Sequence, residues 1–359
     1  MIQSLPLRFI FLLSGRREGV RSTGVLKLVL SRIAQGLVVV VVVSALAFAL
    51  LSAAGGDALT EMASDPHVSP SAVVELRRVY GLDDPLAVRY GRWLADAARG
   101  RMGYSIFFRA PVSTIVLPRL WRTLLVAALA LLLAWSVALA LGVQAARRPR
   151  GAWDRASEVV ILLSASTPRI VVALVALAVA VRTNLFTVGG AFEAASPLSL
   201  ARALPPAIVL AAPLVALFLA QTRESLRAAL AEDFVRVARA KGLPERAVVF
   251  RHAMRAALNP LITIFGYSLG SVVGGSVVAE YVLGWQGVGS LSVAAVVNRD
   301  VPLLLGVVVT TATAVLLGNL AADVLLRLND PRLRLEDAAR RGGSTRGGPA
   351  RAASAANAS

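Results

Sequence analysis

No cysteine occurs among the 359 residues, which excludes disulfides, thiol nucleophiles and cysteine-ligated metals. Lysine is almost missing, with Lys27 and Lys241 the two examples against a large excess of arginine. A P-loop needs Lys followed by Ser or Thr after a glycine-rich turn, because backbone amides cradle the phosphate and the hydroxyl holds magnesium. Leu28 and Gly242 follow the two lysines here, so the chain is not expected to hydrolyse ATP. Histidine is limited to His67 and His252, far apart and outside any His-Glu-x-x-His pattern. No serine is expected to occupy a nucleophile elbow. These deficits argue against an enzyme and against a bound metal or cofactor.

Charge is also scarce, at 16% of residues, and it is gathered into blocks between apolar runs. Hydrophobic residues make up 57% and the mean hydropathy is +0.69, too apolar for a water-soluble fold of this length. The class is an all-α integral membrane protein embedded in a lipid bilayer. A net charge of +17 could point to nucleic acid, but no soluble domain collects it, so nucleic acid is not an expected partner.

Apolar run lengths predict six transmembrane helices, at about 33–53, 124–143, 159–181, 206–220, 261–283 and 303–326. Residues 1–28 form a basic N-terminal extension; its apolar patch Phe9–Leu13 is too short to span, and no small-residue cleavage site follows closely. Residues 55–119 form a long polar, extracytoplasmic segment in which Ser69-Pro70 opens a helix stopping at Gly81, and Tyr90 and Trp93 are assigned to packing, with contact to an external solute-binding partner as the alternative. Asn184 to Pro205 read as a loop, and 335–359, rich in Gly, Ser, Ala and Arg, as a disordered tail. The N-terminus, the Arg147–Arg155 loop, the 221–260 loop and the tail are all rich in arginine, whereas the other connections are nearly balanced. The positive-inside rule then places both termini in the cytoplasm.

The most informative stretch is 221–260. Leu226, Leu230, Phe234 and Val237 recur at spacings of three and four and predict one helical stripe. Gly242 can take positive φ, and Pro244 suits the first turn of a second helix carrying Val248, Val249, Met254 and Leu258. Pattern alone suits two readings: a corner that docks on a protein, or a basic amphipathic helix on anionic lipid.

Arg236, Val237, Ala238, Gly242 and the ending Leu258-Asn259-Pro260 resemble the signature loop of the permease subunits of binding-protein-dependent ATP-driven importers, in the peptide and nickel branch. The match extends over about residues 25–334. It includes Gly81, Asp83, Pro85, Tyr90, Trp93, Gly103, Tyr104 and the Asp330-Pro331-Arg332 ending, while Arg101 departs from the family's usual Asp. The resemblance implies a type I (MetI-like) permease domain over 29–334 and a bacterial inner-membrane location. It implies a second homologous permease as partner, two cytoplasmic ATPases carrying ATP and Mg, and an extracytoplasmic solute-binding protein. Residues Phe234, Arg236, Val237, Ala238, Arg239, Lys241, Gly242 and Leu243 would couple to the ATPase. The cargo implied is di- or oligopeptide, with nickel, glutathione or another small solute as alternatives. An ATP-independent secondary transporter or a membrane scaffold is the competing class; internal duplication, expected of many secondary transporters, is not evident.

Charges and glycines inside spans supply further candidates. Arg169 lies near the middle of the third span, where an arginine costs about 2.5–3.5 kcal/mol on insertion scales; it faces either the pathway or a buried acid. Glu280, with Gly287 and Gly289 beyond it, is a candidate pathway or gate region or, alternatively, an interfacial carboxylate. Gly266, Gly270 and Gly274 recur every fourth residue and allow close helix approach. Asp323 and Arg327, four apart, predict a pair on one helix surface.

Overall fold

The computed structural model describes residues 8–53, 59, 69–79, 81–183 and 198–329. His67, most of the 184–205 loop and the tail beyond 334 lie outside the described residues. Helix α1 spans Arg8–Ala53, with side chains described from Val29. Two short amphipathic helices follow, α2 (Pro70–Val79) and α3 (Leu86–Ala98). A hairpin comes next, β1 (Tyr104–Ser105) antiparallel to β2 (Ala110–Pro111), with Tyr104 opposite Pro111. Then come α4 (Val112–Arg147), α5 (Ala152–Ser166), α6 (Arg169–Thr183), α7 (Leu198–Ala231) and α8 (Asp233–Ala240). The chain closes with α9 (Glu245–Val282), α10 (Val288–Val297) and α11 (Val301–Asn329).

Five of these helices are long and apolar enough to cross a membrane, and six spans result if the bent pair α5–α6 counts as one. Spanning segments must satisfy their backbone hydrogen bonds internally, so even the valine-rich run Val38–Val43 is helical despite its β-branched side chains. The helices outrun the apolar stretches. At 36 residues, α4 is about 54 Å long, well beyond a hydrocarbon core of about 30 Å.

Several expectations need correction. The fourth span was expected at 206–220, yet α7 begins at Leu198 and carries Pro205, Pro206 and Pro213 within it, so 198–205 is helix rather than loop. Residues 112–119, assigned to the polar segment, are the first two turns of α4. Pro111 precedes them in extended conformation, and its missing N–H costs nothing there. The third span, by contrast, breaks where Thr167-Pro168-Arg169 interrupts its expected apolar run: α5 and α6 meet at 100° across Thr167-Pro168. Proline disfavours helical φ/ψ in the residue before it, and Thr167 is extended. The fifth span, expected at 261–283, is continuous with the second arm of the 221–260 loop: Pro260 lies inside α9, which loosens into a π-helical turn over Val248–Ala253.

The most extensive helix contact is α4 against α7. Ala127, Ala130, Ala134 and Ala138 of α4 are buried, as are Ala207, Leu210, Leu214 and Phe218 of α7. Trp135 joins Phe218 and Phe265, tying α9 to this seam. Lipid tails are as apolar as these side chains, so close van der Waals fit rather than the hydrophobic effect holds the seam, which favours alanine. Tyr90 of α3 donates to the Val41 carbonyl at 3.0 Å and stacks on Trp93, whose indole donates to Met102 O. Both thus pack α3 against α1 and the hairpin.

Asp300 secures the side of the molecule where the hairpin lies. It is fully buried, accepts from Ser105 Oγ at 2.6 Å and from the Phe107 amide at 3.1 Å, and caps α11 through the Leu303 amide at 3.1 Å. Asp300→Ala leaves these donors unsatisfied, each costing about 1–3 kcal/mol. We expect a clear fall in melting temperature of the detergent-purified protein, with Asp300→Asn falling between alanine and the native chain.

Candidate functional site

The polar stretch forms an elbow. Helix α7 ends at Ala231, Glu232 is extended, and α8 restarts at Asp233. That break shifts the helical register, and the expected stripe does not continue through it. Leu226 is buried and Leu230 partly so, but Phe234 and Val237 are 43% and 53% exposed, and Val235 and Ala238 turn inward instead. The corner itself is Lys241-Gly242-Leu243. Gly242 has φ +74°, and a Cβ there would meet nothing within 4 Å, so the backbone angle alone calls for glycine. Pro244, also extended, starts α9.

Arg239 and Glu245 close the corner from its two arms with paired contacts of 2.9 and 3.2 Å. The hydrogen bond to Glu245 holds the Arg239 guanidinium above its ordinary pKa. Arg239, expected to meet a partner directly, therefore braces the corner. On the inner side Val235, Ala238, Val248, Val249 and Ala253 form a compact core with Val143 and Ala146 at the end of α4. On the outer side Phe234, Val237 and Leu243 are exposed beside Arg236 and Lys241, while Phe250 is exposed at the foot of α9. The structure thus divides the expected coupling residues: Ala238 builds the base, Arg239 braces it, and Phe234, Arg236, Val237, Lys241, Gly242 and Leu243 are presented outward.

A second polar centre lies at the opposite end of the helices. Glu280 is fully buried. Thr123 of α4 donates to its Oε1 at 2.6 Å and accepts from the Val288 amide at 2.9 Å, while the Ser290 amide donates to Oε2 at 3.1 Å. Gly287 and Gly289 lie so close that a Cβ on either would overlap the carboxylate, and one on Gly289 would also strike the Val277 backbone. These residues, expected to line a pathway or gate, form a latch holding the 284–297 segment onto α4 and α9. Arg122 donates to Gln286 Oε1 at 3.0 Å beside it.

Arg169 begins α6 just after the bend. Its guanidinium reaches α9, donates to Ser271 Oγ at 3.3 Å and fills the space left by Gly275. Among the described residues no carboxylate pairs with it. Gly266 meets Ala322 and Gly270 meets Val315, so this face packs on α11 of the same chain, whereas Gly274 has open space over it. A cleft of about 790 Å³ between α1, α9 and α11 adjoins Gly266, Gly270 and Ser271. Asp323 at its edge pairs with Arg32 of α1 at 2.7 Å; the side chain of Arg327, its expected partner, lies outside the described residues. Gly266-Tyr267-Ser268-Leu269-Gly270 does spell Gly-x-Ser-x-Gly. It lies mid-helix, however, with Ser268 buried and donating to the Phe265 carbonyl, not on a strand-to-helix turn. Among the described residues no cluster of His, Asp and Glu could hold a metal.

Sequence reasoning missed Asp154. It is buried at the start of α5, accepts from the Arg150 amide at 2.7 Å, and pairs with Arg223 and Arg227 of α7 at 2.8 and 2.5 Å. An acid in a basic loop reads as solvated, and spacing gives no hint of partners some seventy residues away.

The glycines separate two kinds of constraint. Gly242→Ala is expected to cost about 1 kcal/mol from its backbone angle alone, and the protein should fold. Gly289→Ala must displace Glu280 or the Val277 backbone, so limited proteolysis should show 284–297 opening in that variant and not in Gly242→Ala.

Comparison with known proteins places this geometry. Residues 138–335 match the family model described as the binding-protein-dependent transport system inner membrane component, and 25–127 match the model of its N-terminal part. The oligopeptide transport system permease protein AppB of Bacillus subtilis is 35% identical over 297 residues, covering 81% of this chain and 94% of its own. A putative peptide permease protein of Brucella suis is 33% identical, covering 86% of this chain and 99% of its own. A probable peptide ABC transporter permease protein of Sinorhizobium fredii is 33% identical, covering 85% and 98%. With both family models matched in chain order and relatives aligned over nearly their whole length, this chain belongs to the family of binding-protein-dependent transport system inner membrane components.

Proposed function

We propose that this chain forms one half of the transmembrane path of an ATP-driven importer of di- or oligopeptides in a bacterial cytoplasmic membrane. The observation that carries this reading is the elbow: an exposed apolar patch of Phe234, Val237 and Leu243 on a corner whose inner side is packed onto α4. An exposed apolar patch rimmed by charge suits docking into a partner groove. Arg236 and Lys241 at its rim favour a groove with acidic edges. Arginine at 147, 148, 150 and 155 on the same side supports a cytoplasmic elbow and cytoplasmic termini.

A second, homologous permease completes the path, two ATPases bind beneath it with ATP and Mg, and a solute-binding protein delivers cargo on the far side. Closure of the ATPase pair moves the two elbows, and the stiff helices rock between openings on either side. The peptide assignment rests on the names of the relatives. Arg169, a cation without a carboxylate partner among the described residues, is proposed to face the path, where it would meet carboxylate groups of the cargo.

Two measurements test this reading. Phe234→Asp or Val237→Asp should lower co-purification of the ATPase by about tenfold or more, since burying an unpaired charge at the core of an interface costs over about 1.4 kcal/mol. Full retention of the ATPase by both variants would remove this patch as the docking site, and failure of the native protein to capture any ATPase would favour an ATP-independent carrier. Arg169→Leu should leave ATPase capture intact and lower peptide uptake in proteoliposomes about fivefold or more, with Arg169→Lys in between; unchanged uptake would remove Arg169 from the path.

A further inference from the structure

At the elbow side, three helix ends meet on a small set of charges that the docking surface does not use. Asp154 opens α5, and only 7% of its side chain is exposed. Arg223 and Arg227, one turn apart near the end of α7, both reach its Oδ1. Arg223 also donates to Glu158 at 2.6 Å, and Arg227 to the carbonyl of Ala145 near the end of α4, at 3.5 Å. The Arg150 amide donates to Oδ2, so the loop leading into α5 is held by the same carboxylate. Two arginines face two acids, and the cluster is electrically balanced.

Its place in the chain gives it leverage. Four residues separate Arg227 from Glu232, where α7 breaks into the elbow. At the other end of α5 lies the 100° bend, followed by Arg169 against Ser271 and Gly275 of α9. We propose that Asp154 is a positioning residue that clamps α5 to the root of the elbow, so that α7 and the broken span α5–α6 move as one body when the elbow moves. An inference of this kind rests on the importer reading for its consequence but not for its geometry. The two guanidiniums converge on the one oxygen Oδ1 from successive turns of α7, and the planar Arg223 group spans from Asp154 through Nε to Glu158 through Nη2, which fixes it between α5 and α7. Removing its charge leaves two partly buried arginines with no shared anchor.

The test has two arms. The chain carries no native cysteine, so Ala156→Cys and Ala228→Cys, both at exposed positions, can be spin-labelled without removing others. In the full-length protein the distance distribution between the labels should be narrow and should broaden at least twofold in the Asp154→Asn background, with Asp154→Glu restoring most of it. An unchanged width overturns the clamp whether or not the protein is an importer.

In the second arm the complete importer is reconstituted with its ATPases, partner permease and binding protein, and peptide uptake is measured against ATP hydrolysed. Asp154→Asn should retain ATPase binding and lose at least fivefold in uptake per ATP, while Glu224→Gln, at an exposed position beside Arg223 and outside the cluster, stays within twofold. A ratio unchanged in Asp154→Asn overturns the coupling role. If that variant does not assemble, Arg223→Lys, which keeps the charge and loses the fork, is read by the same criterion. Absence of ATP-driven uptake by the native complex would instead sink the importer reading and leave the label distances to decide the clamp.

Discussion

The close approach of α4 and α7 is the contact on which the other parts depend. Alanines along the buried face of α4 let the two backbones come near, and Gly142 continues the seam where Thr222 presses against it. Because α4 is far longer than the bilayer is thick, its two ends lie outside the apolar seam and each anchors a polar centre. Thr123 near one end holds Glu280 and the Val288 amide. Val143, Ala145 and Ala146 near the other seat the elbow core and meet Arg227. One rod therefore relates the two sides of the molecule.

The two ends are built from different forces. Within lipid, burying apolar side chains gains little and shape complementarity decides, so the seam is made of alanine and glycine. At the elbow, water competes for every group, and the inner core of Val235, Ala238, Val248 and Val249 draws on the ordinary hydrophobic effect, about 1.5–3 kcal/mol for a fully buried valine-sized or larger side chain. That difference explains how an eight-residue helix, too short to be stable alone, holds its shape. It is seated on α4 and braced across the corner by Arg239 and Glu245.

Much of this was legible in the residues because lipid imposes a coarse grammar. Runs of apolar residues had to be helices, and the 221–260 interruption had to stand outside them. The corner at Gly242 followed from one glycine and one proline at the right spacing. What escaped depends on register and on distance in sequence. A single extended residue, Glu232, rotated Phe234 and Val237 from the expected buried stripe to the surface. Asp323 pairs with Arg32, nearly three hundred residues earlier, a contact that no spacing within one helix announces. Asp154 and Asp300 are loop acids by pattern and buried anchors by structure. Periodicity reports neighbours within one helix, and these contacts join helices that chain order leaves far apart.

The break that Pro168 imposes also decides where charge can sit. Glu280 meets a hydroxyl and a backbone amide near the end of α9, and Asp154 meets two guanidiniums where α5 begins, so both acids are satisfied at helix termini. Arg169 has neither arrangement. On a straight helix through the centre of the bilayer its guanidinium would carry most of the cost of an unpaired buried cation. The 100° turn after Ser166 instead makes it the first residue of α6 and sends its side chain across to α9. There the missing side chain of Gly275 leaves a notch, and Ser271 supplies an acceptor. Bend, notch and hydroxyl together make an otherwise prohibitive position tolerable, while leaving the charge unneutralised among the described residues. A protein that needed only a stable bundle would gain from an apolar residue at 169, so retaining the cation makes sense if an anion reaches it from outside the chain.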